Sequence, residues 1–194
     1  MIFPPVIGLF GISGSGKTHL ARRIVEMRPE MLRVSASTLL KSAHRTTGER
    51  LRTANAERVV DNQKALASAF REWRDAHEPH PVLLEAHALI DNDRELVEVP
   101  FETIRAIDLA AILSIEADPV EIAERRRRDD RNRPVRTIDE LGRQQARSLE
   151  LTSSLSKRLG IPFQSTNSHD MAAAVRFIDQ VCFPWANVSF RGCP

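Results

Sequence analysis

A glycine-rich segment near the N-terminus has the spacing of a phosphate-binding loop. Residues 11–18 read GISGSGKT, a full match to the pattern G-x-x-x-x-G-K-[ST]. Glycines let the backbone curl so that successive N–H groups point at phosphate oxygens, and the following helix adds its positive N-terminal end. Lys17 suits the β- and γ-phosphates, and the Thr18 hydroxyl suits Mg²⁺. Because an apolar run precedes the motif and an amphipathic one follows it, we predict a nucleoside triphosphate site.

Glu85 stands at the end of another apolar run, residues 81–85, which reads as a strand. Ligands bind at the carboxyl ends of parallel strands, and an acid there usually orders Mg²⁺ or its waters. We expect this role for Glu85; the alternative is an acid that merely ends a strand in solvent. Three interpretations remain open for His87: it contacts a substrate phosphate, orients Glu85 or simply packs.

Positive charge is concentrated in one segment. The chain has 28 Lys and Arg against 26 Asp and Glu, a formal net charge of +2, and only four of the cations are lysines. Residues 125–136 contain seven arginines and two aspartates, a local charge of +5. Arginine grips phosphate in two places, so we interpret this segment as a lid that closes on phosphate. A solvated helix face is one alternative. Nucleic-acid binding is another, disfavoured because no aromatic residues are interleaved.

Short apolar runs alternate with long helical patterns, which indicates βαβ units, a parallel sheet and an α/β fold. We predict strands at Val6–Phe10 and at residues 31–34, 81–85, 110–116 and 162–165. We predict helices at Lys17–Met27, at residues 54–73, after an Asp118 cap, from a Thr137 capping box to Leu159, and from a Ser168 cap to Val181. The 194 residues read as one domain, in which residues 184–194 have no assigned structure.

Composition excludes several classes of protein. A chain with 42% hydrophobic and 28% charged residues is typical of a soluble globular protein rather than a disordered one. Apolar runs are too short to span a bilayer, and the N-terminus resembles neither a signal nor a transit peptide. Cys182 and Cys193 suggest neither a disulfide framework nor a metal site. We therefore expect a cytoplasmic protein without a membrane partner.

Three segments together resemble the archaeal-type adenylate kinases and their relatives among small P-loop nucleotide kinases. They are residues 11–18, the EAHA sequence at 85–88, and the stretch from 115 to 133 with the pattern D-P-x-E-I…R-R-x-R-D…R-N-R. They occur in the same order and with similar spacing over most of residues 6–167. The resemblance implies a three-layer P-loop NTPase fold of the nucleoside monophosphate kinase type. Its five-stranded parallel sheet would have the order 2-3-1-4-5, with a short lid at residues 125–136.

The resemblance also implies roles for individual residues. ATP and Mg²⁺ would be held by the loop residues Gly11, Ser13, Gly14, Ser15, Gly16, Lys17 and Thr18, with Glu85 at the metal where the family usually carries Asp. Arg125 or Arg126 resembles the arginine that stacks on the adenine. Alongside Lys17, the catalytic cations would be the lid arginines Arg128, Arg131 and Arg133. On the acceptor side, Arg52 resembles an arginine that contacts a monophosphate, near Glu85 and His87.

The acceptor side departs from the family pattern. Residues 89–93, LIDND, bring acids where the family often has a basic residue and Thr-Pro. We expect transfer of the γ-phosphoryl group of Mg·ATP to a small acceptor, most simply a nucleoside monophosphate. One alternative is a small-metabolite kinase in which Asp91 or Asp93 binds or deprotonates a hydroxyl. Others are a nucleic-acid 5′-hydroxyl kinase and an ATP-hydrolysing switch or assembly factor that acts through a protein partner. An oligomer is possible.

Overall fold

The strands form one parallel sheet and one hairpin. The computed structural model describes residues 4–77, 79–129 and 134–183. Its strands are β1 (Val6–Phe10), β2 (Leu32–Ser35), β3 (Val82–Glu85), β4 (Leu89–Asp91), β5 (Leu96–Glu98), β6 (Ala111–Glu116) and β7 (Phe163–Asn167). The parallel sheet has the order β2-β3-β1-β6-β7, and β4 pairs with β5 separately and antiparallel. Numbered alone, the five parallel strands have the predicted order 2-3-1-4-5; the unpredicted hairpin changes only the labels.

Helices cover both faces of the sheet. They are α1 (Lys17–Met27), α2 (Ala36–His44), α3 (Gly48–Arg52), α4 (Ala56–Asp75), α5 (Phe101–Arg105), α6 (Pro119–Arg127), α7 (Ile138–Leu159) and α8 (Met171–Cys182). One face packs against α1 and α8, where Leu20 and Ile178 are fully buried. The other packs against α2, α4, α5 and α7 around Phe10 and Leu84. Because both faces are covered, the sheet strands read as continuous apolar runs, which confirms the α/β prediction.

The long helices begin where their caps predict. Asp118 accepts a hydrogen bond from Val120 N at the start of α6. Thr137 and Glu140 form the full capping box of α7, and Gly160 ends that helix with φ of 68°. The predicted Ser168 cap of the last helix is wrong, because α8 starts later with Asp170, whose side chain accepts from Ala173 N.

Four elements between β2 and β6 have no counterpart in the predicted set: α2, α3, the β4–β5 hairpin and α5. Helix α2 starts at a Ser35 cap that accepts from Thr38 N, and it buries only Ala36, Leu39 and Leu40. Its apolar stripe is short, so its periodicity is weak. Together α2, α3 and the start of α4 make a helical lobe beside the sheet.

The structure bears on two features considered in the sequence analysis, membrane-spanning segments and the cysteines. Among the residues that it describes, none of the helices has the length and apolarity needed to cross a membrane. Cys182 is a free thiol in the core, and burial raises its pKa to about 12. Cys193 lies outside the described residues.

Thr137→Ala should lower the free energy of unfolding by about 1 kcal/mol, because α7 loses the hydroxyl that caps its first turn. Hydrogen bonds from Thr137 hold the pKa of Glu140 below its ordinary value, so the box contributes at neutral pH and is lost as pH falls through that lowered pKa. The difference from wild type should therefore shrink in acid. Urea denaturation at several pH values measures it. Ser154→Ala, at an exposed position inside the same helix, is the control and should cost nothing.

Candidate active site

The loop between β1 and α1 curls tightly against the sheet. Gly11, Gly14 and Gly16 all have positive φ, at 146°, 90° and 94°. A Cβ on Gly11 would lie 2.6 Å from the carbonyl oxygen of Ile115 in β6, a contact that real side chains do not make. Gly16 is also the N-cap of α1 and supplies no side-chain cap, so the first amides of that helix stay available to an anion. The predicted phosphate-loop geometry is therefore present.

Lys17 lies inside this curl. Its Nζ donates to the carbonyl oxygens of Gly11 at 2.7 Å and Ile12 at 2.9 Å, and the residue is only 7% exposed. His87 reaches the same loop, and its Nδ1 donates to Gly11 O at 2.9 Å. This hydrogen bond ties the His87 ring to the backbone of the phosphate loop, and the role of His87 toward a substrate stays a prediction.

The hydroxyl of Ser15 tests whether the loop fits a phosphate. Ser15 is fully buried, and its Oγ has no hydrogen-bond partner in the part of the chain that the structure describes. A buried hydroxyl without a partner is costly, since it has given up hydrogen bonds to water. An anion seated in the curl would accept from it, so the loop residues fit a phosphate group.

Glu85 lies at the end of β3, next to the start of α1. Strand pairing places it opposite Leu9 of β1 on one side and Ser35 of β2 on the other. The carboxylate is 5% exposed, and its Oε2 accepts from the Thr18 hydroxyl at 2.7 Å. Its Oε1 accepts from Arg33 Nε at 2.5 Å, a partner that sequence reasoning missed.

Oxygen donors of this kind suit Mg²⁺, which typically uses one or two protein groups together with substrate phosphates and water. A hydroxyl and a carboxylate 2.7 Å apart at the mouth of the loop supply such a pair. Among the described residues no cluster of three acidic, His or Cys side chains forms a complete metal cage. Thr18 and Glu85 therefore fit Mg²⁺ that arrives with a nucleotide.

The arginines at the end of α6 divide into two groups. Arg126 donates from Nε to Ser13 O at 2.9 Å, and Arg125 contacts Gly14 O and the Ser168 hydroxyl at 3.4 Å. Arg127 and Arg128 face solvent; the Arg128 side chain is 81% exposed and lies 3.6 Å from Glu124. This division is expected, because consecutive residues of an α-helix cannot all point in one direction. The first pair anchors α6 to the phosphate loop.

The structure does not describe the side chains of three predicted site residues. Arg131 and Arg133 fall outside the described residues, as does the end of the chain beyond residue 183. Arg52 belongs to α3, but the structure does not describe its side chain. Their roles stay predictions.

The acidic residues after β4 form a clasp. Asp91 accepts from Arg136 Nη2 at 2.9 Å and Nε at 3.1 Å, and from Gln144 Nε2 at 3.2 Å. These hydrogen bonds raise the pKa of Arg136 above its ordinary value. The next residue, Asn92, donates to Ala54 O of the helical lobe at 3.2 Å. Asp91 is thus engaged by the protein itself in this arrangement, and its role toward an acceptor hydroxyl, like that of Asp93, stays a prediction.

A cationic cavity lies in the helical lobe. It has a volume of about 470 Å³ and is lined by residues from α2, α3 and α4, among them Arg45, Arg50, Arg58 and His44. Among the described residues that line it, none is acidic. Helix α2 runs from Ser35, beside Glu85, to this cavity, so the lobe borders the crevice at the strand ends.

Comparison with known proteins agrees with this geometry. A family model described as AAA domain matches residues 10–142, which is more than half of the chain. The chain belongs to the AAA domain family. Among curated proteins, the AAA domain chain is similar to the adenylate kinase of Pyrococcus furiosus, with 26% identity over 147 residues that cover 73% of this chain and 75% of the relative.

Solved structures share the fold of this AAA domain protein. The shikimate kinase from Acinetobacter baumannii in complex with shikimate has a TM-score of 0.58 at 16% identity, with 96% of each chain covered. The shikimate kinase from Bacteroides thetaiotaomicron has a TM-score of 0.56 at 16% identity, with 91% of this chain and 97% of that chain covered. Both show the fold alone, which is the P-loop kinase fold that the sequence resemblance predicted.

Asp91→Ala should lower the free energy of unfolding of the AAA domain protein by about 1–3 kcal/mol, because Arg136 and Gln144 lose their acceptor. The Asp91 side chain is only 10% exposed. Asp61→Ala is the matched control, since its pair with Lys64 is exposed on both sides, and it should cost less than about 0.5 kcal/mol. Urea denaturation of both variants checks this. Equal, small losses would refute the clasp.

Proposed function

We propose that this AAA domain protein is an ATP-dependent P-loop kinase that transfers the γ-phosphoryl group of Mg·ATP to a small acceptor. The observation that carries the proposal is the curled loop. It surrounds Lys17 and the Ser15 hydroxyl, which has no hydrogen-bond partner among the described residues, and it ends beside the Thr18–Glu85 pair. The family match and the adenylate kinase relative support a phosphotransferase of the P-loop class.

The loop would bind the donor phosphates. Lys17 would exchange the carbonyls of Gly11 and Ile12 for phosphate oxygens, and the amides at the start of α1 would add their partial positive charge. Phosphoryl transfer leaves little covalent chemistry to the protein, so positioning and electrostatic stabilisation account for catalysis. No covalent enzyme intermediate is required.

Thr18 and Glu85 would hold Mg²⁺, directly or through its waters, together with the phosphate oxygens. When bound, this ion would neutralise negative charge that develops on the phosphates. Glu85 itself is tied by hydrogen bonds to Thr18 and Arg33, so its part in this proposal is to hold the metal rather than to move protons.

The arginines would divide the remaining work. Arg126 and Arg125 hold α6 against the loop, so in this proposal Arg126 would lie beside the donor nucleotide. Arg128 is exposed and would turn toward the phosphates as the site closes. With Arg131 and Arg133 it would supply the cations that the transition state needs.

For the acceptor we propose a nucleoside monophosphate. Two observations support an anion: the cavity of the helical lobe carries Arg45, Arg50 and Arg58 without an acid, and the charge of Asp91 is neutralised by Arg136. The similarity to the Pyrococcus furiosus adenylate kinase points the same way. The shikimate kinases share only the fold, so metabolite acceptors belong in the test rather than in the proposal.

Lys17→Ala should reduce phosphoryl transfer by about 10²-fold or more while the protein stays folded, because the buried ammonium group no longer meets the donor phosphates. Initial rates with saturating Mg·ATP measure the loss, and circular dichroism checks the fold. Lys157→Ala, at an exposed position in α7, is the control and should leave turnover unchanged. Unchanged turnover in the Lys17 variant would refute the donor site.

The acceptor is tested with γ-labelled ATP, Mg²⁺ and a panel of nucleoside monophosphates, nucleosides, oligonucleotides with free 5′-hydroxyls, shikimate and sugars. We expect label in a nucleoside diphosphate. Label in a metabolite would correct the acceptor and keep the kinase. Label that appears only as free phosphate would contradict the kinase proposal and favour an ATP-hydrolysing switch.

A further inference from the structure

The Glu85 carboxylate is held from two sides. Thr18 donates to Oε2 from the start of α1, and Arg33 donates to Oε1 from the neighbouring strand β2. Pairing of β2 with β3 sets Arg33 opposite Leu83 and Ser35 opposite Glu85. Because side chains alternate along a strand, Arg33 and Glu85 project from the same face of the sheet, two register positions apart. The contact is therefore built into the strand register.

We propose that Arg33 is a positioning residue that fixes Glu85 in the orientation that serves the divalent cation. The inference rests on the proposed function only in placing that cation at Thr18 and Glu85. Without Arg33, Oε1 would be a buried charged oxygen that lacks a partner, and the carboxylate would turn toward water or another donor. Groups that hydrogen-bond to metal ligands orient them, and their loss typically weakens metal affinity by about 10–100-fold.

Two effects of Arg33 oppose each other, which makes the sign of the result decisive. Its positive charge, 2.5 Å from the carboxylate, opposes binding of a cation to the same group. If charge alone mattered, removal of Arg33 would tighten metal binding. If positioning dominates, removal would weaken it. The proposal predicts weakening.

The experiment measures Mn²⁺ binding in place of Mg²⁺, in the presence of a non-hydrolysable ATP analogue so that no turnover is involved. Electron paramagnetic resonance of free Mn²⁺ gives the affinity. We expect Arg33→Gln to weaken Mn²⁺ binding about 10-fold or more, and Arg33→Lys to restore part of the affinity. Binding of the ATP analogue without a metal ion, measured in EDTA, should change little. The described hydrogen bond of Arg33 goes to Glu85 and not to the phosphate loop.

Arg28→Gln is the matched control. Arg28 pairs with Asp179 at 2.5 Å between α1 and α8, and its side chain is 27% exposed against 28% for Arg33. Loss of this pair removes the same type of interaction away from the loop, so Mn²⁺ affinity should stay at the wild-type value. Thermal melts of all variants confirm that each is folded at the temperature of the titration.

A double-mutant cycle shows whether Arg33 acts through Glu85. Glu85→Gln should weaken Mn²⁺ binding by itself, and Arg33→Gln should add nothing further in that background. Additive losses, or Arg33→Gln affinity equal to or tighter than wild type, would overturn the inference. The inference would also be overturned if the wild-type protein did not raise the affinity for Mn²⁺ above that of the analogue alone. Failure of the kinase proposal is seen separately, as the absence of any labelled acceptor.

Discussion

The curl of backbone between β1 and α1 is the constraint on which the rest of the site depends. Gly11 passes so close to the Ile115 carbonyl of β6, and Gly16 so close to Ser168, that built Cβ atoms would lie at 2.6 Å and 2.9 Å from them. The loop can follow this path only because three of its residues tolerate positive φ. That path sets where α1 begins, at Lys17, and so brings the Thr18 hydroxyl to Glu85.

The β4–β5 hairpin joins the two parts of the molecule that flank this loop. Asp91 accepts hydrogen bonds from Arg136, the last residue of the arginine-rich segment, and Asn92 donates to the backbone of Ala54 in the helical lobe. Asp91, one of the acids that depart from the family pattern, is therefore bound within the protein. Arg136 balances its charge, and the cavity of the helical lobe is lined by Arg45, Arg50 and Arg58. The hairpin therefore holds the end of the arginine-rich segment, at Arg136, in a fixed position relative to that lobe.

Most of the fold could be predicted from local sequence patterns. The features that were missed depend on contacts between strands that are distant in the sequence. The phosphate loop, five parallel strands and the capped helices α6 and α7 each depend on neighbouring residues, so sequence reasoning found them. The Arg33–Glu85 pair depends on the register of β2 against β3, which no short motif encodes. The hairpin did leave a signal: residues 91–93 read Asp-Asn-Asp, and Asp93 adopts φ of 81°. Asp and Asn favour turns. The charge of the two acids instead suggested groups that bind or deprotonate an acceptor hydroxyl.

The arginine excess of residues 125–136 illustrates how charge in a sequence differs from charge at a site. Arg125 and Arg126 donate to the loop backbone, and Arg136 is bound by Asp91. An arginine whose N–H groups donate to the protein contributes positive electrostatic potential and holds neighbouring elements together. It does not act as a side chain that moves to bind a phosphate. Its value is that α6 is held against the loop at Ser13 and Gly14, which in turn sets the position of Arg128 one residue beyond the helix. The anchored arginines thus fix the position of Arg128 relative to the loop.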